Sequence, residues 1–299
     1  MPCPAPWLPG ATFTYGAHEV TAEAIIRFAR ALDPQPMHLD AASAQAGMMG
    51  GLISSGWQTV ALHHAMARAA LLDGAGYHYL VQVENLRWST PVRPGDTLRG
   101  WAEVLAGDAD EILLRHALIN QNDETVMGLE ARYARTRPTG NDPVGGPYPV
   151  GDRPVHPVPF EGIVPGTVTF AGEHRFSRDA ALEQRALYDP LRPGEAETVS
   201  PWHLAAQWLR MNVDCWNALE AQGITLPNRG PGLGLKQVIW PTPAKIDEPL
   251  RYFSRTLEAR ASSSRPGWGI ITNRNYALNA AGEVVVAFTS SALLEGRGA

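Results

Sequence analysis

Asp33-Pro34-Gln35-Pro36-Met37-His38 sets a carboxylate and an imidazole five residues apart, on a stretch whose two prolines fix φ on either side of Gln35. Held at a set separation, the two groups are suited to share one water. Asp33 would act as general base, and His38 would orient the same water and help move its proton. Such acid–base assistance typically contributes ~10²–10⁴-fold. Eighteen residues after the imidazole, Gly56 falls at the apparent start of a strongly apolar run, behind Ser54 and Ser55. A helix opening there has unpaired N–H groups and the positive end of its dipole facing outward. A glycine adds no Cβ to keep a carbonyl away. These are the parts needed to move water onto or off a double bond beside a thioester carbonyl.

The elements that must position these residues follow from the pattern. An extended piece, Thr12–Glu19, precedes a short helix opening at Thr21 with Glu23 in its first turn. A long helix is expected from Ser54 to Leu72. Leu52, Ile53, Trp57, Val60, Ala61, Leu62, Ala65, Met66, Ala69 and Leu72 cover most of its circumference, so it should be buried. Four strand-like runs follow: Tyr77–Trp88, Thr97–Leu105, Ile112–Asn120 and Thr125–Thr136. Arg93-Pro94-Gly95-Asp96 and Gln121-Asn122-Asp123-Glu124 supply turns. One buried helix wrapped by an antiparallel meander is an α+β arrangement.

The chain carries this plan twice. Pro9–Pro34 matches Pro165–Pro190 without a gap, sharing Gly16/Gly172, His18/His174 and Asp33/Asp189 among its identities. Ser55-x-Trp57 then matches Ser200-x-Trp202, and Trp88-x-Thr90-Pro91 matches Trp240-x-Thr242-Pro243. The second copy predicts a helix over Ser200–Gln222 and strands over Leu233–Trp240, Leu250–Ala259, Ile270–Leu278 and Val284–Leu294. Domains are therefore expected at 8–137 and 161–296, joined by a Pro/Gly-rich linker at 138–160 that cannot hold a helix.

At 299 residues and 44% hydrophobic, the chain has ample apolar surface for a core in each half. Its net charge of −5 and lack of a Lys/Arg run give no footprint for nucleic acid. No signal peptide or membrane span is expected. Cys3 and Cys215 lie far apart with no metal-type spacing. The expectation is a reduced, cytoplasmic, disulfide-free protein.

Phe28-Ala29-Arg30-Ala31-Leu32-Asp33-Pro34-Gln35-Pro36-Met37-His38-Leu39-Asp40, followed by Gly51-Leu52-Ile53-Ser54-Ser55-Gly56-Trp57, resembles the signature of the MaoC-like acyl dehydratases, the (R)-specific enoyl-CoA hydratases. Pro91-Val92-Arg93-Pro94-Gly95-Asp96-Thr97-Leu98 is similar to a second stretch of that family. The resemblance implies a hotdog fold, here in tandem as a double hotdog, and an acyl-CoA or acyl-carrier thioester substrate. It implies no metal or organic cofactor, and it makes the Gly56 amide the oxyanion donor. One such donor is commonly worth ~2.7–4 kcal/mol of transition-state stabilisation. A homodimer of double-hotdog chains is a further expectation.

The second copy lacks the chemistry. Asp189 matches Asp33, but Gly194 stands where the imidazole would be, and Pro201, with no N–H, matches Gly56. One active site per chain is expected, in the N-terminal half. Asp40 reads as the N-cap of a helix at Ala41, and Ser54 and Ser55 as helix caps. No nucleophile-elbow pattern surrounds those serines. His63 and His64 read as packing or exposed residues of the long helix, His18 and His174 as structural, and Trp57, Trp88, Trp202 and Trp240 as core. Arg87, Arg93 and Arg99 could meet CoA phosphates or simply be solvated. A hotdog acyl-CoA thioesterase and a non-catalytic acyl-thioester-binding protein are the alternatives to a hydratase.

Overall fold

The computed structural model describes residues 7–46, 49–137, 140, 142–190 and 195–297. Cys3 and Gly194 lie outside them. The chain runs β1 (Thr12–Glu19), α1 (Ala22–Leu32), the short α2 (Pro36–Leu39) and α3 (Ala41–Ala46), then α4 (Gly56–Ala67), a π-helical turn (Arg68–Leu72) and α5 (Asp73–Ala75). Strands β2 (Tyr79–Trp88), β3 (Thr97–Gly107), β4 (Glu111–Ile119) and β5 (Thr125–Ala134) complete the first half. The second half repeats the plan with β6 (Val168–His174), α6 (Arg178–Tyr188), α7 (Pro201–Ala221), β7 (Arg229–Ile239), β8 (Leu250–Ala261), β9 (Trp268–Leu278) and β10 (Val284–Glu295).

All ten strands form one antiparallel sheet in the order β1-β3-β4-β5-β2-β7-β10-β9-β8-β6. The halves meet where β2 pairs with β7, Val83 opposite Val238 and Leu86 opposite Leu235. The shared pair Gly16/Gly172 has a local cause. Each has positive φ, +65° and +129°, at an irregularity in β1 or β6. That backbone conformation is strained for any side chain, so both positions favour glycine; a Cβ would in addition meet the movable ends of Met66 and Met211.

Thr21 caps α1, accepting from the Ala24 N–H, as the sequence predicts. The long first helix differs from expectation: regular α-helix ends at Ala67, and a π turn carries the chain to Leu72. That turn directs Arg68, 1% exposed, inward toward the second half. One apolar core spans both halves, with α4 and α7 laid over the same face of the sheet. Trp57 joins them, its ring centroid 6.5 Å from that of Trp202 and 5.5 Å from that of Phe288.

The outer face of the sheet differs between the halves. On the first, Arg115 bridges Glu103 and Glu130 in an exposed cross-strand ladder. On the second, Phe253, Tyr276, Leu278 and Ala287 form a small core covered by Val144 and Tyr148. The proline-rich segment is thus a strap packed on the sheet. Tyr148 sits edge-on to Tyr276 at 5.1 Å, and its hydroxyl accepts from Arg274 Nη2 at 3.1 Å. Among the described residues, no helix is long and apolar enough to cross a membrane.

Candidate active site

α1 ends at Asp33, which caps its C-terminus by donating its N–H to the Ala29 carbonyl at 2.9 Å. The prolines then turn the chain into α2, so that His38 comes back toward the helix end. Asp33 Oδ2 and His38 Nε2 lie 3.4 Å apart, both side chains buried. The two residues singled out by spacing are therefore brought together.

Each is fixed from outside the pair. Ser55 Oγ donates to Asp33 Oδ2 at 2.6 Å, and Gln35 Nε2 donates to Oδ1 at 2.8 Å. His38 Nδ1 lies 2.8 Å from the Ile53 carbonyl. A carbonyl can only accept, so Nδ1 carries a proton, and Nε2 is the ring nitrogen turned toward Asp33.

Gly56 opens α4, so its amide has no acceptor within the helix. Ser55 is the N-cap and accepts from the Trp57 N–H at 3.2 Å while donating to Asp33. The expected capping role of Ser55 is present, and its bond to Asp33 is an addition that no local pattern announces. Gly56 also has a packing reason to be glycine. A Cβ there would lie 2.7 Å from Trp88 Cε2, and the Trp88 indole donates to the Gly56 carbonyl at 2.9 Å. Trp240 makes the same 2.9 Å bond to the Pro201 carbonyl. Trp88 and Trp240, read from sequence as core, are half-buried clamps on their helix starts.

Asp189 caps α6 as Asp33 caps α1, but its carboxylate is taken up by cations. Arg185 Nη1 approaches Oδ2 at 3.0 Å, Arg68 reaches across from the first half to Oδ1, and His64 Nε2 lies 3.5 Å from Oδ1. A carboxylate so paired is a poor base, and Pro201 offers no amide. A cleft lined by His64, Tyr79, Arg185, Asp189 and Trp240 remains beside it.

The other residues singled out fall as follows. Asp40 accepts from the N–H groups of Ala42 and Ser43, at 3.3 and 3.0 Å, as an N-cap does. Ser54 donates to Gln58 Oε1. Arg99 pairs with Asp123, Arg93 donates to the Met49 carbonyl, and Arg87 is exposed. His63 is buried in a polar chain that sequence reasoning missed. Tyr15 OH lies 2.9 Å from His63 Nε2 and 3.0 Å from His116 Nδ1, with Tyr133 OH 3.4 Å beyond. Burial, followed by the neighbouring His64, pushes His63 down to about 3, and burial likewise holds His116 well below the usual histidine range. The available signal was strand phase: His116 sits at an inward position between Leu114 and Leu118. Among the described residues, no group of three or more His, Cys, Asp or Glu could hold a metal ion.

The profile of the MaoC like domain matches residues 8–113, the stretch that holds Asp33, His38 and Gly56. An uncharacterized protein, YdeM of Bacillus subtilis strain 168, is 32% identical over 96 residues, which are 32% of this chain and 68% of that protein. A MaoC domain protein from Chloroflexus aurantiacus J-10-fl superposes with a TM-score of 0.75 at 15% identity, over 97% of this chain and 96% of its own. RV0216 of Mycobacterium tuberculosis, a double hotdog, matches at 0.68 and 16% identity over 96% of each chain. The chain belongs to the MaoC-like family, and its fold is a double hotdog.

Proposed function

We propose that this protein is a hydro-lyase that adds water reversibly to a trans-2-enoyl thioester, of CoA or of a carrier protein. The observation that carries this reading is the buried pair of Asp33 Oδ2 and His38 Nε2, 3.4 Å apart, with Nδ1 of the imidazole held by the Ile53 carbonyl. A water shared by the two gives a hydrogen to Asp33 and is oriented by His38. Asp33 takes a proton as the oxygen bonds to C3. Charge gathers on the thioester oxygen, for which the Gly56 amide at the start of α4 is the donor. Return of that proton to C2 completes the addition and regenerates the Asp33 carboxylate, giving the 3-hydroxyacyl thioester. The (R) product is what the resemblance to the (R)-specific hydratases implies.

Loss of enoyl-thioester ultraviolet absorbance over a short-to-long enoyl-CoA panel tests the reading. Wild type should consume substrate without releasing thiol, while Asp33→Asn and His38→Ala fall by ~10²–10⁴-fold. Free CoA thiol as product would instead make the protein a thioesterase. Undiminished turnover by Asp33→Asn would remove the base assigned here.

A further inference from the structure

α1 and α6 are counterparts that end on matching aspartates, yet their last turns are capped differently. At α6 the cation is the helix's own Arg185, whose Nη1 reaches Asp189 Oδ2 at 3.0 Å and the Asp189 carbonyl at 3.5 Å. The carboxylate is spent in that cap. At α1 the residue matching Arg185 is Ala29, which is buried and offers no donor. The carbonyls at the end of α1 still need partners. They find them across the halves: Arg210 of α7 donates through Nη1 to the carbonyls of Arg30 at 2.7 Å and Ala31 at 2.9 Å. Asp214, one turn along α7, holds Arg210 Nε at 2.8–2.9 Å. The position in α4 that matches Arg210 is Ala65, whose side chain has no donor to offer α6 in return.

We propose that Arg210, supplied by the half that lacks the imidazole and the amide, is a positioning residue for Asp33. Toward α1 its guanidinium bonds only backbone oxygens, while Asp214 holds its Nε from within α7. It closes the last turn of α1 two residues before Asp33 and adds a cation where the helix dipole favours one. Both carboxylate oxygens are left to Ser55, Gln35 and the attacking water. The catalytic consequence rests on the hydratase reading; the claim that Arg210 holds the turn does not. Displacing a catalytic group by about 1 Å can cost on the order of 10²-fold in rate, so a clamp this close to the base should register in kcat.

The test compares wild type, Arg210→Ala and Arg210→Lys in the full chain by peptide-level hydrogen exchange and by steady-state hydration of an enoyl-CoA. For Arg210→Ala, faster exchange confined to residues 29–40 is expected, with kcat roughly tenfold lower and KM within about twofold. Arg210→Lys should recover part of the loss. Added guanidinium ion should restore Arg210→Ala but not Asp33→Asn, since the Arg210 side chain is 30% exposed and its place can be refilled from solvent. Unchanged exchange at 29–40 overturns the proposal whatever the rate does. So does a kcat loss fully accounted for by a smaller folded fraction. If wild type hydrates no enoyl thioester, the function proposed above fails, and the exchange result still decides whether Arg210 holds the turn.

Discussion

At the scale of single residues, the two groups to which the proposed hydration assigns chemistry, Asp33 and His38, are held in place by groups to which it assigns none. Ser55 does two jobs, capping α4 and donating to Asp33 Oδ2. Ser55→Ala should cost about 1 kcal/mol of stability from the lost cap. It should also lower kcat, because Asp33 can then turn away from His38; denaturant titration and kinetics separate the two effects. Gly56→Ala is the sharper change. Helix propensity alone would favour alanine by ~1 kcal/mol. The new Cβ, 2.7 Å from Trp88 Cε2, should reverse that into a loss of about 1–3 kcal/mol. A rise in melting temperature for Gly56→Ala would refute this account of the glycine. The carboxylate and imidazole were legible in the sequence because both lie on one short, proline-stiffened stretch. Their supports were not, since Ser55 is 22 residues from Asp33 and Arg210 about 180 residues from the carbonyls it caps. Contacts of that span depend on how elements pack, and no spacing rule encodes them.

At the scale of elements, the duplicated order of strand, helix, long helix and four strands could be read from hydrophobic period and internal matches. The end of the first long helix could not. Arg68 and Leu72 suit either an α or a π turn, and the buried pairing with Asp189 is made in the π form. The polar partners of His63 were not legible, because a lone polar residue in an apolar helix gives no sign of what it meets. The buried histidines of α4 and α7, His63 and His203, have a further consequence. They make the protein acid-sensitive. Burial, then His64, pushes His63 down to about 3; burial, then His174 and Arg185, does the same to His203. In the unfolded chain both titrate near 6.5. Between about pH 3 and 6.5 the unfolded state binds protons that the folded state refuses, so stability rises with pH and is complete only above 6.5. Each such histidine should contribute up to about 1.4 kcal/mol per pH unit inside that window. Denaturant midpoints should fall steadily from pH 7 to pH 5, and less steeply in His63→Gln. A flat profile would show that these rings are charged in the fold.

At the scale of the whole molecule, the halves share a sheet and a core, and the proposed function divides roles between them. Asp189→Asn should leave hydration untouched while lowering the melting temperature, since it strips Arg68 and Arg185 of a buried counter-charge. A fall in kcat beyond the folded fraction would mean that the second half holds a working site after all. The proline-rich segment illustrates a limit of composition. Its prolines and glycines exclude a helix, but only the apolar outer face of β8, β9 and β10 turns it into a strap. Tyr148→Ala should therefore cost about 2 kcal/mol, far more than a substitution in a free linker.

The seam between β2 and β7 has a consequence for how the protein behaves in a dilute cell or cuvette. Because α7 and β7 travel on the same polypeptide as Asp33 and His38, their docking is a unimolecular event. Separate subunits would part as their concentration dropped below the dissociation constant. Tethered halves face one another at an effective concentration near the millimolar range however far the solution is diluted. Activity per chain should thus hold constant into the nanomolar range, with no lag as partners find each other. The support for the site is immune to mass action.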